Sequence, residues 1–153
     1  MDLLAPDAVF RAGNALALLG WIALAASPPS ARWAPRARRI AGRALPLGFA
    51  VLYVAMLLVH RPVQGGFGSV AEVQALFAQP GPLVAGWLHY LAFDLFVGAW
   101  IAERAAALAL PHVLVLPVLL LTFGFGPAGF LAFVLLRALR RPASLALDPG
   151  APA

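Results

Sequence analysis

The stretch PLVAGWLHYLAFDLFVGAWIA (residues 82–102) decides the fold class, because almost all of its residues are apolar. About 20 such residues cross a lipid bilayer as a helix. Three further runs reach that length, at about residues 5–26, 40–59 and 110–136. The chain of 153 residues is 63% hydrophobic and 11% charged, a composition outside the range of soluble domains. We therefore predict an all-α integral membrane protein, a four-helix bundle within a single domain over residues 1–141.

The segments between and beyond these runs add further predictions. Ser69 followed by Glu72 has the pattern of a capping box, and apolar residues then recur at helical spacing. This indicates a short amphipathic helix at the membrane interface between spans two and three. In the fourth run, Pro127 lacks an amide proton and should kink the helix or divide it into two shorter segments. Residues 142–153, rich in proline and alanine, predict a flexible tail.

The charges indicate how the chain is placed in its membrane. All eleven basic residues are arginine, and they exceed the acidic residues by five. They lie at the ends of apolar runs, which favours membrane flanks over binding to nucleic acid. Five of the arginines lie in residues 32–43, and the positive-inside rule places that connection in the cytoplasm. With four spans, the arginines at residues 137–141 then lie outside, against the rule. The acidic start favours a retained first helix over a cleaved signal peptide. Arginine without lysine, together with much alanine, glycine and proline, is typical of a GC-rich bacterial genome, so the predicted location is the bacterial cytoplasmic (inner) membrane.

Several polar side chains interrupt the apolar runs and form the candidate site. Counted from the ends of their spans, Arg11, Asn14, Tyr53 and His89 lie at a similar depth, with Asp94 nearer the midplane. Ionisable groups within spans are costly and usually mark a function. The structural alternative is hydrogen bonding between helices, or neutralisation of Asp94 by Arg11. We predict Asp94 and His89 as catalytic residues. The predicted substrate-binding residues are Arg11, Asn14, Tyr53, Trp87, Tyr90 and Phe93.

Other features restrict the chemistry. His89 and Asp94 lie about 140° apart around a helix, so we expect them to face different helices or to flank a cavity from two sides. The absence of cysteine excludes disulfides, thiolate metal sites and thiol catalysis. No third ligand accompanies His89 and Asp94, so we expect neither a metal nor another cofactor. For His112 we expect a helix-end contact with Glu103 rather than a catalytic role.

Five segments resemble the ABA DEFICIENT 4-like family of small four-span membrane proteins. They are FRAGNALALLGWIAL (10–24), FGSVAEVQALF (67–77), GWLHYLAFDLFVGAWI (86–101), PHVLVLPVLLL (111–121) and FGPAGFLAFVLLR (125–137). The most specific piece is Trp87, His89 and Asp94 in the arrangement Trp-x-His-(x4)-Asp. Plant members of the family are linked to neoxanthin formation, in which an epoxide of violaxanthin is isomerised to an allene. Most bacteria do not make neoxanthin, so the resemblance implies a type of chemistry rather than a substrate.

That chemistry suits the candidate residues. Opening an epoxide to an allene is redox-neutral and needs an acid and a base in a dry apolar site. A buried aspartate tends to be neutral and would supply the acid, and a buried neutral histidine the base. The alternative function is a non-enzymatic module that binds a lipid or pigment or assists assembly, and an ion carrier is a third. The expected partners are membrane lipid and a hydrophobic molecule such as a carotenoid, with no nucleic acid; a homo-oligomer is compatible with the sequence.

Overall fold

The computed structural model describes residues 4–140, and these are helical with no strand. Four helices are long and apolar enough to cross a membrane: Pro6–Ala25, Ala34–Val59, Pro80–Ala107 and His112–Leu139, here the first to fourth spans. A shorter helix, Val70–Phe77, joins the second span to the third. The predicted all-α fold with four spans and one short connecting helix is confirmed, and the chain is a multi-pass membrane protein. The predicted tail, residues 142–153, lies outside the described residues.

The third span is the centre of the bundle. More than half of its most apolar window is buried, against a third or less in the other spans. Small residues allow its neighbours to approach closely, as is usual between membrane helices. A methyl group added at Gly42 of the second span would collide with the side chain of Ala99. Gly98 of the third span is likewise covered by the ring of Trp21 from the first. The third span therefore orients its neighbours around itself.

The second span begins earlier than predicted, at Ala34 rather than near residue 40. Pro35 lies in its first turn, where proline favours helix initiation, and the arginines that follow are good helix formers. A prediction from hydropathy alone leaves arginines out of a span, and it therefore started the second span too late. The helix contains a π-helical segment, Ile40–Ala44, and the side chain of Arg43 lies 3.8 Å from Glu103 of the third span.

The short helix begins as its sequence pattern predicted. The hydroxyl of Ser69 accepts a hydrogen bond from the backbone N–H of Glu72 at 3.2 Å. The carboxylate of Glu72 accepts from the N–H of Gly68 at 3.0 Å, one residue before the position that an ideal capping box would use. With eight residues, Val70–Phe77 is too short to span a bilayer.

The fourth span is kinked, as the position of Pro127 predicted. Phe125 has non-helical backbone angles, φ −147° and ψ 48°, within an otherwise continuous helix. The two sides of the bend approach closely, because Gly129 packs directly against Thr122. Pro127 has no N–H to donate to the carbonyl one turn earlier. The hydroxyl of Thr122 does not take over this role, because it donates to the carbonyl of Val118 at 2.7 Å. The segment is one bent span rather than two.

Two histidines fasten the ends of the first span. Nε2 of His112 lies 2.8 Å from the carbonyl oxygen of Ala25, and Nε2 of His60 lies 2.9 Å from that of Leu4. A ring nitrogen must donate in each pair, because a carbonyl oxygen only accepts. The expected contact between His112 and Glu103 is therefore wrong: the carbonyls at the end of the first span need donors, and His112 supplies one.

Candidate functional site: a cavity at Asp94

A cavity of about 410 Å³ lies between the first, third and fourth spans. Trp87, Tyr90 and Asp94 of the third span line it together, because spacings of three and four residues place side chains on one face of a helix. The remaining lining residues are Asn14, Ala17, Leu18, Trp21, Leu91, Phe123 and Gly124. The cavity thus combines an apolar wall with a few polar groups, the usual composition of a small-molecule site.

Asp94 is the most unusual residue of this cavity. It is only 9% exposed, and its Oδ1 lies against Gly126, at the kink of the fourth span. Its Oδ2 is buried and has no hydrogen-bond partner within the described residues. Tyr90, one helical turn earlier, lines the same cavity. Buried polar groups are nearly always paired, and an unpaired one costs about 1–3 kcal/mol. Because Asp94 lines the cavity, a turn of its carboxyl group would let a ligand supply the missing hydrogen bond.

Asn14 and Trp87 form a polar link at the edge of the cavity. The indole N–H of Trp87 donates to Oδ1 of Asn14 at 2.8 Å, which joins the first span to the third. The indole also stacks on Tyr90, with ring centroids 5.1 Å apart, and on the other side meets Phe10 at 5.6 Å. These contacts fix the aromatic wall beside Asp94. Both residues were predicted to bind substrate, and the structure places them together at this edge.

His89 does not share this cavity. Its side chain is exposed and lies between Phe93 and Tyr53, at centroid distances of 4.6 and 6.0 Å. None of these three residues lines the cavity at Asp94. The two predicted catalytic residues are therefore not brought together, because five positions along a helix turn the side chain by about 140°.

Arg11 also lies apart from the cavity. Its side chain is exposed, and it does not line the space around Asp94. Within residues 4–140 the one ion pair joins Arg43 to Glu103, so the proposed neutralisation of Asp94 by Arg11 does not occur there. Of the predicted substrate-binding residues, Asn14, Trp87 and Tyr90 line the cavity, and Arg11, Tyr53 and Phe93 do not.

A groove of about 530 Å³ extends the cavity between the first and fourth spans. It shares three lining residues with the cavity: Leu18, Trp21 and Phe123. Its remaining lining residues are Ile22, Ala25, Leu116, Pro117, Leu119 and Leu120, all of them apolar. The two spaces thus adjoin across these side chains, with the rings of Trp21 and Phe123 in edge contact between them at a centroid distance of 5.6 Å. We refer to the apolar groove and the cavity at the buried carboxyl group together as the Asp94 slot. Sequence reasoning missed the groove, although Pro117 in mid-helix is a signal of irregular packing.

The family model described as ABA DEFICIENT 4-like matches residues 8–133. The chain belongs to this family. The match extends over most of the four spans and includes every residue that lines the Asp94 slot. Neither the curated proteins nor the solved structures contain a match to the chain.

Within residues 4–140 no group of three or more histidine, cysteine, aspartate or glutamate side chains could hold a metal ion. The groups that face the slot are instead one carboxyl, one phenol and one amide, from Asp94, Tyr90 and Asn14. These groups can donate and accept hydrogen bonds and can move a proton.

Proposed function

We propose that the protein binds a carotenoid or a related isoprenoid lipid in the Asp94 slot and isomerises it. The apolar chain lies in the groove between the first and fourth spans, and an oxygen at the end of the ligand meets the carboxyl group of Asp94. The observation that carries this proposal is the carboxyl group of Asp94 at the polar end of an apolar slot, where its buried Oδ2 has no hydrogen-bond partner within residues 4–140. Membership of the ABA DEFICIENT 4-like family supports a carotenoid-related substrate.

The shape of the slot favours a long apolar ligand with one polar end. The groove is lined by leucine, isoleucine, proline and aromatic side chains, and polar groups occur only around Asp94. Such a lining gains little from a ligand that is polar along its length, because each buried polar group without a partner is costly. An isoprenoid with an oxygenated ring meets both requirements, and it reaches the slot from the lipid.

In the proposed reaction Asp94 acts as both acid and base. The neutral carboxyl group gives its proton to an epoxide oxygen, the C–O bond breaks, and the oxygen becomes a hydroxyl group. The carboxylate then removes a proton from the neighbouring carbon, whose C–H electrons form the new double bond. The ligand keeps its composition and Asp94 recovers its proton, so no oxidant or reductant is consumed. Tyr90 and Asn14 would hold the oxygenated end in position.

A second candidate function is binding without reaction. His89, the predicted base, faces away from the slot, which leaves Asp94 as the sole carboxyl or imidazole group among the residues that line it. One such group is sufficient to hold the oxygen of a ligand by a hydrogen bond. The protein would then carry or store a pigment or assist a partner protein.

Co-expression with the enzymes that make an epoxy-carotenoid tests both functions. Under the isomerase proposal the wild-type protein yields an allenic product, and Asp94→Asn lowers that yield by about 100-fold or more, the usual share of a general acid–base group. His89→Gln is the matched control in the same span and should change the yield little. Retention of pigment by wild type without any product supports the binding function. Unchanged yield and unchanged pigment retention in Asp94→Asn would exclude the Asp94 slot from both.

We also propose a bacterial cytoplasmic membrane as the location, with residues 32–43 on the cytoplasmic side. The support is the concentration of arginine in this connection, because positively charged segments resist translocation.

A further inference from the structure

A second groove lies between the first and second spans and shares no lining residue with the Asp94 slot. It encloses about 390 Å³. Small residues open it, since Gly20 and Ala23 of the first span face Ala37 and Ala41 of the second. Leu16 closes the end deeper in the first span. We refer to this space as the Trp33 groove, after the aromatic residue at its mouth.

The length of the Trp33 groove matches one leaflet of a bilayer. Along the second span its lining extends from Trp33 to Leu45, which corresponds to about 18 Å at the rise of an α-helix. Half of the hydrocarbon core measures about 15 Å. An acyl chain that starts at Trp33 would therefore end near the bilayer midplane. The mouth of the groove also coincides with the end of the first span, where the chain leaves the apolar region.

The mouth of the groove is positively charged. Arg36 lines it beside Trp33, and the neighbouring side chains of Arg32 and Arg39 are exposed. Within residues 4–140 the sole ion pair joins Arg43 to Glu103, so no carboxylate neutralises Arg36. Tryptophan is enriched at the level of lipid head groups, and a guanidinium group binds phosphate through paired hydrogen bonds.

We infer that the Trp33 groove binds an anionic phospholipid, with one acyl chain between the first two spans and its phosphate at Arg36. A zwitterionic lipid fits less well, because its ammonium group would lie beside Arg36, which has no carboxylate partner within residues 4–140. The apolar groove thus favours the acyl chain, and the arginine at its mouth favours the phosphate of the same lipid. This site is separate from the proposed function, and either can fail without the other.

Competition between two lipids in native mass spectrometry tests the site. Detergent-purified protein is mixed with equal amounts of phosphatidylglycerol and phosphatidylcholine that carry the same acyl chains. We expect wild type to retain phosphatidylglycerol preferentially. Arg36→Gln should reduce that preference about fivefold, the usual effect of one arginine near an anionic head group. Arg104→Gln removes the same charge beside Glu103, near the same membrane face but outside the groove, and should leave the preference unchanged.

A steric variant tests the groove independently of charge. Ala23→Leu fills the space between the first two spans while every arginine remains, so retention of phosphatidylglycerol should fall several-fold. Equal retention of the two lipids by wild type would overturn the proposal. An equal loss of preference in Arg36→Gln and Arg104→Gln would also overturn it, since the arginines would then attract lipid without a groove.

Discussion

Gly126 lies at the kink of the fourth span and packs against the carboxyl group of Asp94, so adding one methyl group there tests the site directly. In Gly126→Ala the new carbon would collide with Oδ1 and lie 2.9 Å from Cγ of Asp94. Real side chains do not approach so closely, so the carboxyl group or the kink must move. The matched control is Gly124→Ala, two residues earlier, where no heavy atom lies within 4 Å of the added carbon.

The expected changes in the free energy of unfolding have opposite signs. Replacing a helical glycine with alanine stabilises by about 0.5–1 kcal/mol, which is the expected result for Gly124→Ala. An additional carbon in a packed site costs about 1–3 kcal/mol. Gly126→Ala should therefore be destabilised by a net value of about 0–2.5 kcal/mol. The two variants should differ by about 1–3 kcal/mol, and this difference is the quantity to measure.

Denaturant titration in detergent micelles measures these free energies, and a double-mutant cycle identifies the contact. Asp94→Ala removes the carboxyl group and makes room for the methyl group at residue 126. The double variant should therefore be more stable than the sum of the single changes predicts, with a coupling energy of about 0.5–3 kcal/mol. If the two alanine variants have equal stability, or if the coupling energy is zero, Asp94 does not pack against the kink and the geometry proposed for the slot is wrong.

Three further predictions concern other parts of the chain. Asn14→Leu removes the acceptor of the Trp87 indole and should destabilise by about 0.5–1.5 kcal/mol. Combined with Trp87→Phe, the loss should be smaller than the sum of the two single losses, and additive losses in the same titration would show that the two side chains do not interact. Ser69→Ala removes the cap of the short helix, so hydrogen exchange should accelerate at the backbone N–H of Glu72 by about fivefold, equivalent to about 1 kcal/mol, while the spans are unaffected. Ser30→Cys places a thiol in the exposed turn before the second span, and a membrane-impermeant reagent added to intact cells should not label it; labelling would reverse the proposed orientation.

Hydropathy was sufficient to predict the four spans, because a membrane requires both a minimum length and an apolar composition. The kink followed from Pro127, which lacks an amide proton whatever its surroundings are. The start of the second span was missed, because arginines lower hydropathy but do not interrupt a helix. A sequence therefore predicts the apolar part of a spanning helix better than the part that extends beyond the lipid.

The candidate site was predicted only in part, for a geometric reason. The relative directions of side chains along one helix follow from their spacing, so the sequence could predict that Trp87, Tyr90 and Asp94 share a face. Depth along each span could also be counted, and it gave one layer for Arg11, Asn14, Tyr53 and His89. The rotation of each helix about its own axis depends on packing, and the sequence does not give it. Residues at the same depth, such as His89, were therefore assigned to one site although they face different sides of the bundle.

The two histidine contacts at the ends of the first span restrict how a bulky molecule reaches Asp94. The span is held near Leu4 by His60 and at Ala25 by His112, while its middle borders the groove beside the fourth span. With both ends attached, the helix cannot swing outward as a rigid lid. The groove is already open at the surface, since Ile22 and Leu120 are more than half exposed. The proposed ligand would therefore enter sideways from the hydrocarbon layer, in the plane of the membrane, without movement of the first span.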